Sequence, residues 1–186
     1  MRTFIAVEID QAVRQRTAGL IERLRPLSGG VSWVGPDKLH FTLKFLGDVD
    51  QRQIPEVCQA VETAAAGFGP FEIAVQGVGA FPRVNRPSVI WLGASDGTDR
   101  MTELAERVEM AMKRLGFPRE SRPFKAHLTL GRVRRPGPQM TELAEALKQN
   151  ASFEAGRCTV AEVVVFSSQL HPSGAIYTAL CRASLE

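Results

Sequence analysis

His40-Phe41-Thr42-Leu43 recurs 87 residues later as His127-Leu128-Thr129-Leu130, and a glycine follows each copy, Gly47 and Gly131. Two of the three histidines in the chain sit in these tetrapeptides. In the first copy apolar and polar residues alternate from Leu39 to Phe45, the period of a strand with one buried face. Alternate residues of a strand share a face. The pattern therefore puts His40 and Thr42 on one side and Leu39, Phe41, Leu43 and Phe45 in a core. In the second copy His127 and Thr129 share a face, opposite Ala126, Leu128 and Leu130. A short motif repeated in two parts of a chain is the trace of a duplicated supersecondary unit. We expect two pseudo-symmetric lobes, each presenting an imidazole beside a hydroxyl, with the two pairs facing one another across a central cleft.

Outward from the motifs, strand-like and helix-like segments alternate. Residues 2–8 read as a strand. Residues 10–26 carry Val13, Thr17, Leu20, Ile21 and Leu24 at helical spacing and stop at Pro26. The motif strand at 39–46 is followed by a helix at 51–66, with Ile54, Val57, Cys58 and Val61 on one face. Strands near 71–78 and 87–93 are read as joined by a loop from Gly79 to Arg86. A helix at 98–115 ends at Gly116, then come a strand at 126–133, a helix near 139–149 and strands near 158–168 and 175–182. This succession predicts an α+β protein with antiparallel or mixed β-sheet and outer helices. With no linker tract between the halves, residues 1–186 read as one domain of two intertwined lobes.

The chain has 186 residues, 44% hydrophobic and 23% charged, as expected of a soluble globular protein. No apolar run approaches the roughly 18 residues that would span a membrane. The opening Met1-Arg2-Thr3-Phe4-Ile5-Ala6-Val7-Glu8 lacks the apolar region of a signal peptide. Cys58, Cys158 and Cys181 are odd in number, widely spaced and without a C-x-x-C, which indicates neither a disulfide framework nor a zinc ribbon. A reducing cytoplasm is the expected setting, and a chain that contains its own symmetry is expected to be a monomer. Net charge is +3. Arg119, Arg122, Lys125, Arg132, Arg134 and Arg135 stand against the single acid Glu120 over residues 119–135, and such a local basic run is the footprint of a phosphate-bearing partner.

The chemistry follows from the residue types. A free imidazole titrates near about 6.5, so one histidine can be neutral and another protonated near neutral pH. One would deprotonate an attacking water while the other protonates a leaving oxygen. Thr42 and Thr129 would donate to non-bridging phosphate oxygens, and Lys125, Arg122 and Arg132 would supply positive potential. No Asp/Glu cluster suited to a hard metal accompanies the motif, so no metal and no cofactor is expected. A zinc site from His40, His127 and a cysteine is the minor alternative. Arg83 and Arg86 are placed where an RNA backbone would pass, Phe81 and Trp91 are aromatic candidates for stacking, with Trp91 assigned to the core, and His171 is left at the surface.

The paired H-x-T-hydrophobic motifs resemble the two-histidine (2H) phosphoesterase superfamily and, within it, the RNA 2′,3′-cyclic phosphodiesterases, also called 2′-5′ RNA ligases. The resemblance extends through Arg2-Thr3-Phe4-Ile5-Ala6-Val7, Trp33-Val34-Gly35-Pro36, Gly79-Ala80-Phe81-Pro82, Pro87-Ser88-Val89-Ile90-Trp91, Phe124-Lys125 and the closing Ser168-x-Leu170 and Gly174-Ala175-x-Tyr177. The chain departs from the family pattern at Ala126, often proline, and at Ser167, often glutamate. The resemblance implies metal-independent hydrolysis of RNA or nucleotide 2′,3′-cyclic phosphate to a 2′-phosphomonoester, and a reverse step that joins such an end to a 5′-hydroxyl. It implies His40 as proton donor, His127 as proton acceptor, and Thr42 and Thr129 on the phosphate; Arg83, Lys125 and Arg132 are expected as further substrate contacts from their own charge and position. Two rivals remain: an enzyme for another cyclic phosphodiester or a 2′-5′ linkage, and a binding module that captures RNA ends without turnover.

Overall fold

A computed structural model of the chain describes residues 1–172 and 174–186; Ser173, in the turn expected at 170–174, lies outside the described residues. Among the described residues the strands are β1 (Arg2–Glu8), β2 (Val31–Trp33), β3 (His40–Asp48), β4 (Phe71–Arg83), β5 (Arg86–Ala94), β6 (His127–Val133), β7 (Glu154–Val160), β8 (Glu162–Gln169) and β9 (Ile176–Ser184). The α-helices are α1 (Gln11–Leu24), α2 (Ile54–Ala65), α3 (Thr98–Arg114) and α4 (Met140–Gln149). All nine strands join one sheet in the order β7-β4-β5-β6-β3-β1-β8-β9, with β2 added to β6. Every pairing is antiparallel.

The sheet divides into two halves at its centre. One half holds β4 to β7; the other is assembled from both ends of the chain, β1 and β3 with β8 and β9. They meet where β3 and β6 pair at a single position, Phe41 with Leu128. These two residues occupy the same place in the two motifs. Antiparallel pairing of equivalent positions is what a two-fold axis through the seam produces, and it sets His40 and His127 on one face near that axis.

The helices close the other face. Ile5, Val7, Phe41, Ile90, Leu92 and Leu128 project from the strands into a core completed by Leu20, Ile21 and Leu24 of α1 and by Met101, Leu104, Val108 and Met112 of α3. The stripe on α3 repeats every three or four residues, and Asp99 in its first turn and Lys113 and Arg114 in its last suit the helix dipole. On the motif face a smaller cluster gathers Phe4, Ala6, Val164 and Phe166, with Tyr177 against it.

Several expectations are corrected. The β1–β3 register passes from Ala6 opposite Thr42 to Ile5 opposite Lys44, so Leu43 is an extra residue. Such a bulge inverts the alternation beyond it. Phe45, expected in the core, is therefore turned outward and 63% exposed. Lys44 is turned inward, where it meets Glu109 of α3 at 2.8 Å and donates to the carbonyl of Pro118 at 2.9 Å. The β5–β6 register makes the same skip at Leu130, from Trp91 opposite Thr129 to Ile90 opposite Gly131. Arg132 thereby joins His127 and Thr129 on the motif face.

The loop expected from Gly79 to Arg86 is instead a continuation of β4 and β5, closed by a turn at Val84 and Asn85 with Arg83 opposite Arg86. The strand expected at 158–168 is two strands divided at Ala161, and β2 was not expected. Cys58 and Cys181, 123 residues apart, form a disulfide between α2 and β9 with their Cα atoms 6.0 Å apart. Spacing gives no hint of this pair, because only the packing of α2 on β9 brings them together. Cys158 stays a buried thiol.

Candidate active site

The two histidines are held alike. His40 Nδ1 donates to the carbonyl of Lys38 at 2.7 Å, and His127 Nδ1 donates to the carbonyl of Lys125 at 2.6 Å. In each case the acceptor lies two residues upstream, and a carbonyl can only accept, so the proton on Nδ1 is fixed. Each Nε2 is left to take or give a proton on the motif face. The turn at Pro36–Lys38 aims the first carbonyl; the segment before β6 aims the second. The full repeat is thus Lys-x-His-x-Thr-Leu, 38–43 and 125–130. The lysine two residues before the first histidine is a part that motif reading passed over, though comparison of the two copies shows it.

Thr42 Oγ1 lies 3.1 Å from His40 Nε2 and donates to it when the imidazole is neutral. Continuing the Phe41–Leu128 register by one residue each way sets His40 opposite Thr129 and Thr42 opposite His127. Directly opposed side chains of an antiparallel pair stand about 5 Å apart and diagonal ones about 7–8 Å. Four polar groups of the motifs therefore form the corners of one small patch.

Aromatic rings enclose both imidazoles. His40 stacks on Phe4 with centroids 4.9 Å apart and meets the edge of Tyr177 at 5.5 Å. Phe81 stands edge-on to His127 at 5.3 Å and leans on Trp91 at 5.2 Å. Lys125 Nζ lies 4.4 Å from the Trp91 ring centroid, a cation–π contact. Trp91 thus belongs to the motif face and is only partly buried, contrary to its expected core position. Gly79 makes room for it: a Cβ there would lie 2.4 Å from the indole.

Burial sets the electrostatics. It pushes the His40 imidazole below its usual pKa, against the raising effect of the Lys38 carbonyl, and Arg14 and His127 lower it further while Glu8 raises it. Burial also lowers His127, against the Lys125 carbonyl, and the charges of Lys125 and Arg132 act in the same downward sense. Both rings therefore stand in a half-enclosed setting among aromatic neighbours. Burial pushes the Tyr177 phenol upward, so it remains a hydroxyl donor. Among the described residues no three of His, Cys, Asp and Glu gather closely enough to hold a metal ion.

Comparison with known proteins identifies this architecture. The family model described as LigT like Phosphoesterase matches the chain twice, over residues 7–91 and 92–177. The chain belongs to that family. Each match holds one of the two motifs. This LigT-like phosphoesterase is 37% identical over 177 residues to a protein of Archaeoglobus fulgidus, covering 95% of this chain and 96% of the relative. It is 35% identical to one of Methanothermobacter thermautotrophicus, covering 96% and 95%. Both relatives are named RNA 2′,3′-cyclic phosphodiesterase. Among solved structures, a Thermus thermophilus protein superposes with a TM-score of 0.84 at 29% identity, covering 100% of this chain and 98% of the other. E. coli LigT in complex with 3′-AMP has the same fold, with a TM-score of 0.76 at 23% identity over 99% and 97% of the two chains.

Within the LigT-like fold, the structure groups His40, Thr42, His127, Thr129, Lys125 and Arg132 on one face. It leaves Arg83 apart, exposed at the β4–β5 turn. A cavity of about 430 Å³ opens beside His40 between Glu8, Lys38, Phe166, Tyr177 and Arg182. Arg182 is engaged there by Glu8 and Glu162. Tyr177 was noted in the sequence without an assigned role, and nothing in the spacing of a C-terminal hairpin shows that its tip folds back on His40. His171 is exposed, as expected. No helix among the described residues is long and apolar enough to cross a membrane.

Proposed function

We propose that this chain hydrolyses the 2′,3′-cyclic phosphate of RNA ends or nucleotides to a 2′-phosphomonoester, using His40 and His127 as an acid–base pair and no metal. The observation that carries the reading is the matched setting of the imidazoles, each with Nδ1 tied to the carbonyl two residues upstream and Nε2 left for proton transfer. The names of the Archaeoglobus and Methanothermobacter relatives support the substrate class. The two family matches support one domain of two duplicated lobes, residues 1–186.

The step balances as follows. Neutral His127 takes a proton from water at Nε2 as the water oxygen bonds to phosphorus. The P–O3′ bond breaks in line, and imidazolium His40 gives its Nε2 proton to the departing O3′. The products are a 3′-hydroxyl and a 2′-phosphate; solvent then returns the histidines to their starting protonation. Thr42 and Thr129 donate to the non-bridging oxygens, and Lys125 and Arg132 offset the negative charge. With a 5′-hydroxyl in place of the attacking water, the same groups form a 2′-5′ linkage; run backwards, that step cleaves the linkage and re-forms the cyclic phosphate. Among the rivals, simple capture of RNA ends needs hydroxyls and cations but no pair of fixed imidazoles.

Incubating the protein with a 2′,3′-cyclic mononucleotide in EDTA should yield the 2′-monophosphate, read by phosphorus NMR or chromatography. A 3′-monophosphate, or activity restored only by a divalent ion, overturns the reading.

The lowered histidine pKa values support a pH dependence displaced to the acid side. The working enzyme holds one proton between two imidazoles, and in the free protein both titrate below about 6.5. The kcat/KM profile should therefore be a bell centred on the acid side of 6.5, falling as pH rises because the acid loses its proton. The bound phosphodiester anion favours both imidazolium forms, so the kcat profile should lie at higher pH. Stopped-flow or coupled assays from pH 4 to 9 measure both; a kcat/KM profile still rising at pH 8 contradicts the assignment.

A further inference from the structure

Between Glu72 and Asp96, and again between Glu120 and Glu142, the chain has no acidic residue. The sheet lays these two stretches side by side, because β5 pairs with β6. Together they carry Arg83, Arg86, Arg122, Lys125, Arg132, Arg134 and Arg135, all exposed. None of the seven is paired with a carboxylate among the described residues.

The register gathers three of them at one end of the sheet. Arg83 stands opposite Arg86, and Val89 opposite Arg132. Arg86 lies beyond Val89 at this end of β5, and Arg135 follows the end of β6, where its N–H donates to the carbonyl of Gly30 beside β2. Arg83, Arg86 and Arg135 therefore lie toward the same end of the sheet, and Arg132 stands on β6 between that end and His127. The flank beside His40 differs: its Arg182 is engaged by Glu8 and Glu162.

We propose that the β4–β5 turn and the end of β6 form a second anion-binding surface, which holds the phosphodiester backbone of single-stranded RNA beyond the nucleotide carrying the cyclic phosphate. It rests on the phosphodiesterase reading and adds a length preference to it. A mononucleotide reaches only the histidine patch, whereas an oligonucleotide also reaches the arginines. Unpaired, exposed guanidiniums suit this role, since they bind phosphate oxygens in a fork without first breaking an internal ion pair.

The test compares wild type with R86E/R135E on two substrates, a 2′,3′-cyclic mononucleotide and a hexanucleotide ending in a 2′,3′-cyclic phosphate. The variant should lose at least about tenfold in kcat/KM on the hexanucleotide near 0.1 M salt and change less than about twofold on the mononucleotide, which also shows that it is folded. Each single-strand phosphate contact contributes a slope of about −0.7 in log K against log salt, so loss of two should flatten that slope by about 1.4. Equal losses on both substrates, or an unchanged hexanucleotide rate, overturn the proposal. Fluorescence anisotropy of a hexanucleotide bearing a 2′-phosphate end reads the surface apart from turnover: weaker binding by the variant supports it even if wild type hydrolyses neither substrate, and equal binding counts against it.

Discussion

Alanine in place of His40 or of His127 is expected to lower kcat on a 2′,3′-cyclic nucleotide by about 10³-fold, the middle of the range for a positioned general acid or base. On the proposed mechanism the two residues act in one step, so the double variant should fall little below the worse single one. Each single variant should also lose one limb of its pH profile, which distinguishes loss of a proton carrier from a general disturbance. The rings stand on the motif face, outside the main hydrophobic core, so circular dichroism should show the fold retained. His40→Ala removes a ring from the stack on Phe4, and this variant is the more disturbed of the two. Either variant keeping a tenth of wild-type turnover sinks the acid–base assignment.

The threonines give the second large effect. Donors fixed toward developing charge contribute about 10²-fold or more to kcat each. Thr42→Ala and Thr129→Ala should each lower kcat by about that factor with a smaller change in KM, because the donors act on charge that grows toward the transition state. Serine restores the hydroxyl without the methyl group, so Thr42→Ser and Thr129→Ser should stay within about threefold of wild type. Loss in the serine variants equal to that in the alanine variants would show that the methyl group's packing, rather than the hydroxyl, is what matters. Thr42→Ala also frees His40 Nε2 from the hydroxyl 3.1 Å away, which should raise that imidazole slightly and move the acid limb of the profile.

How far these positions could be read from sequence depends on the range of the interaction. The motif residues were legible because a strand alternates faces every residue and the same tetrapeptide pattern occurs twice. The alternation failed just past Thr42, where one inserted residue in the β1–β3 register reverses Lys44 and Phe45 before a second skip at Leu46. A bulge leaves no composition signal, so Phe45 was placed inward and Lys44 outward. Trp91 was misplaced for a related reason. Its strand is apolar on both faces, so periodicity alone could not say which side it takes, and the decision lies with Gly79 on the neighbouring strand. Tyr177 and the Cys58–Cys181 pair depend on contacts across more than 100 residues, beyond any local pattern. The family likeness supplied the reaction but not these neighbours.

The seam at Phe41 and Leu128 has a mechanical consequence. Each half is stitched along many ladder positions, whereas the two are joined between β3 and β6 by one pair. The fewest direct ladder pairs cross the sheet at that line, and β2 on β6 and the common core beneath hold the halves together there. On the proposed mechanism, a phosphate contacted by both motifs would bridge this line and add a link between the halves that the backbone ladder supplies only once.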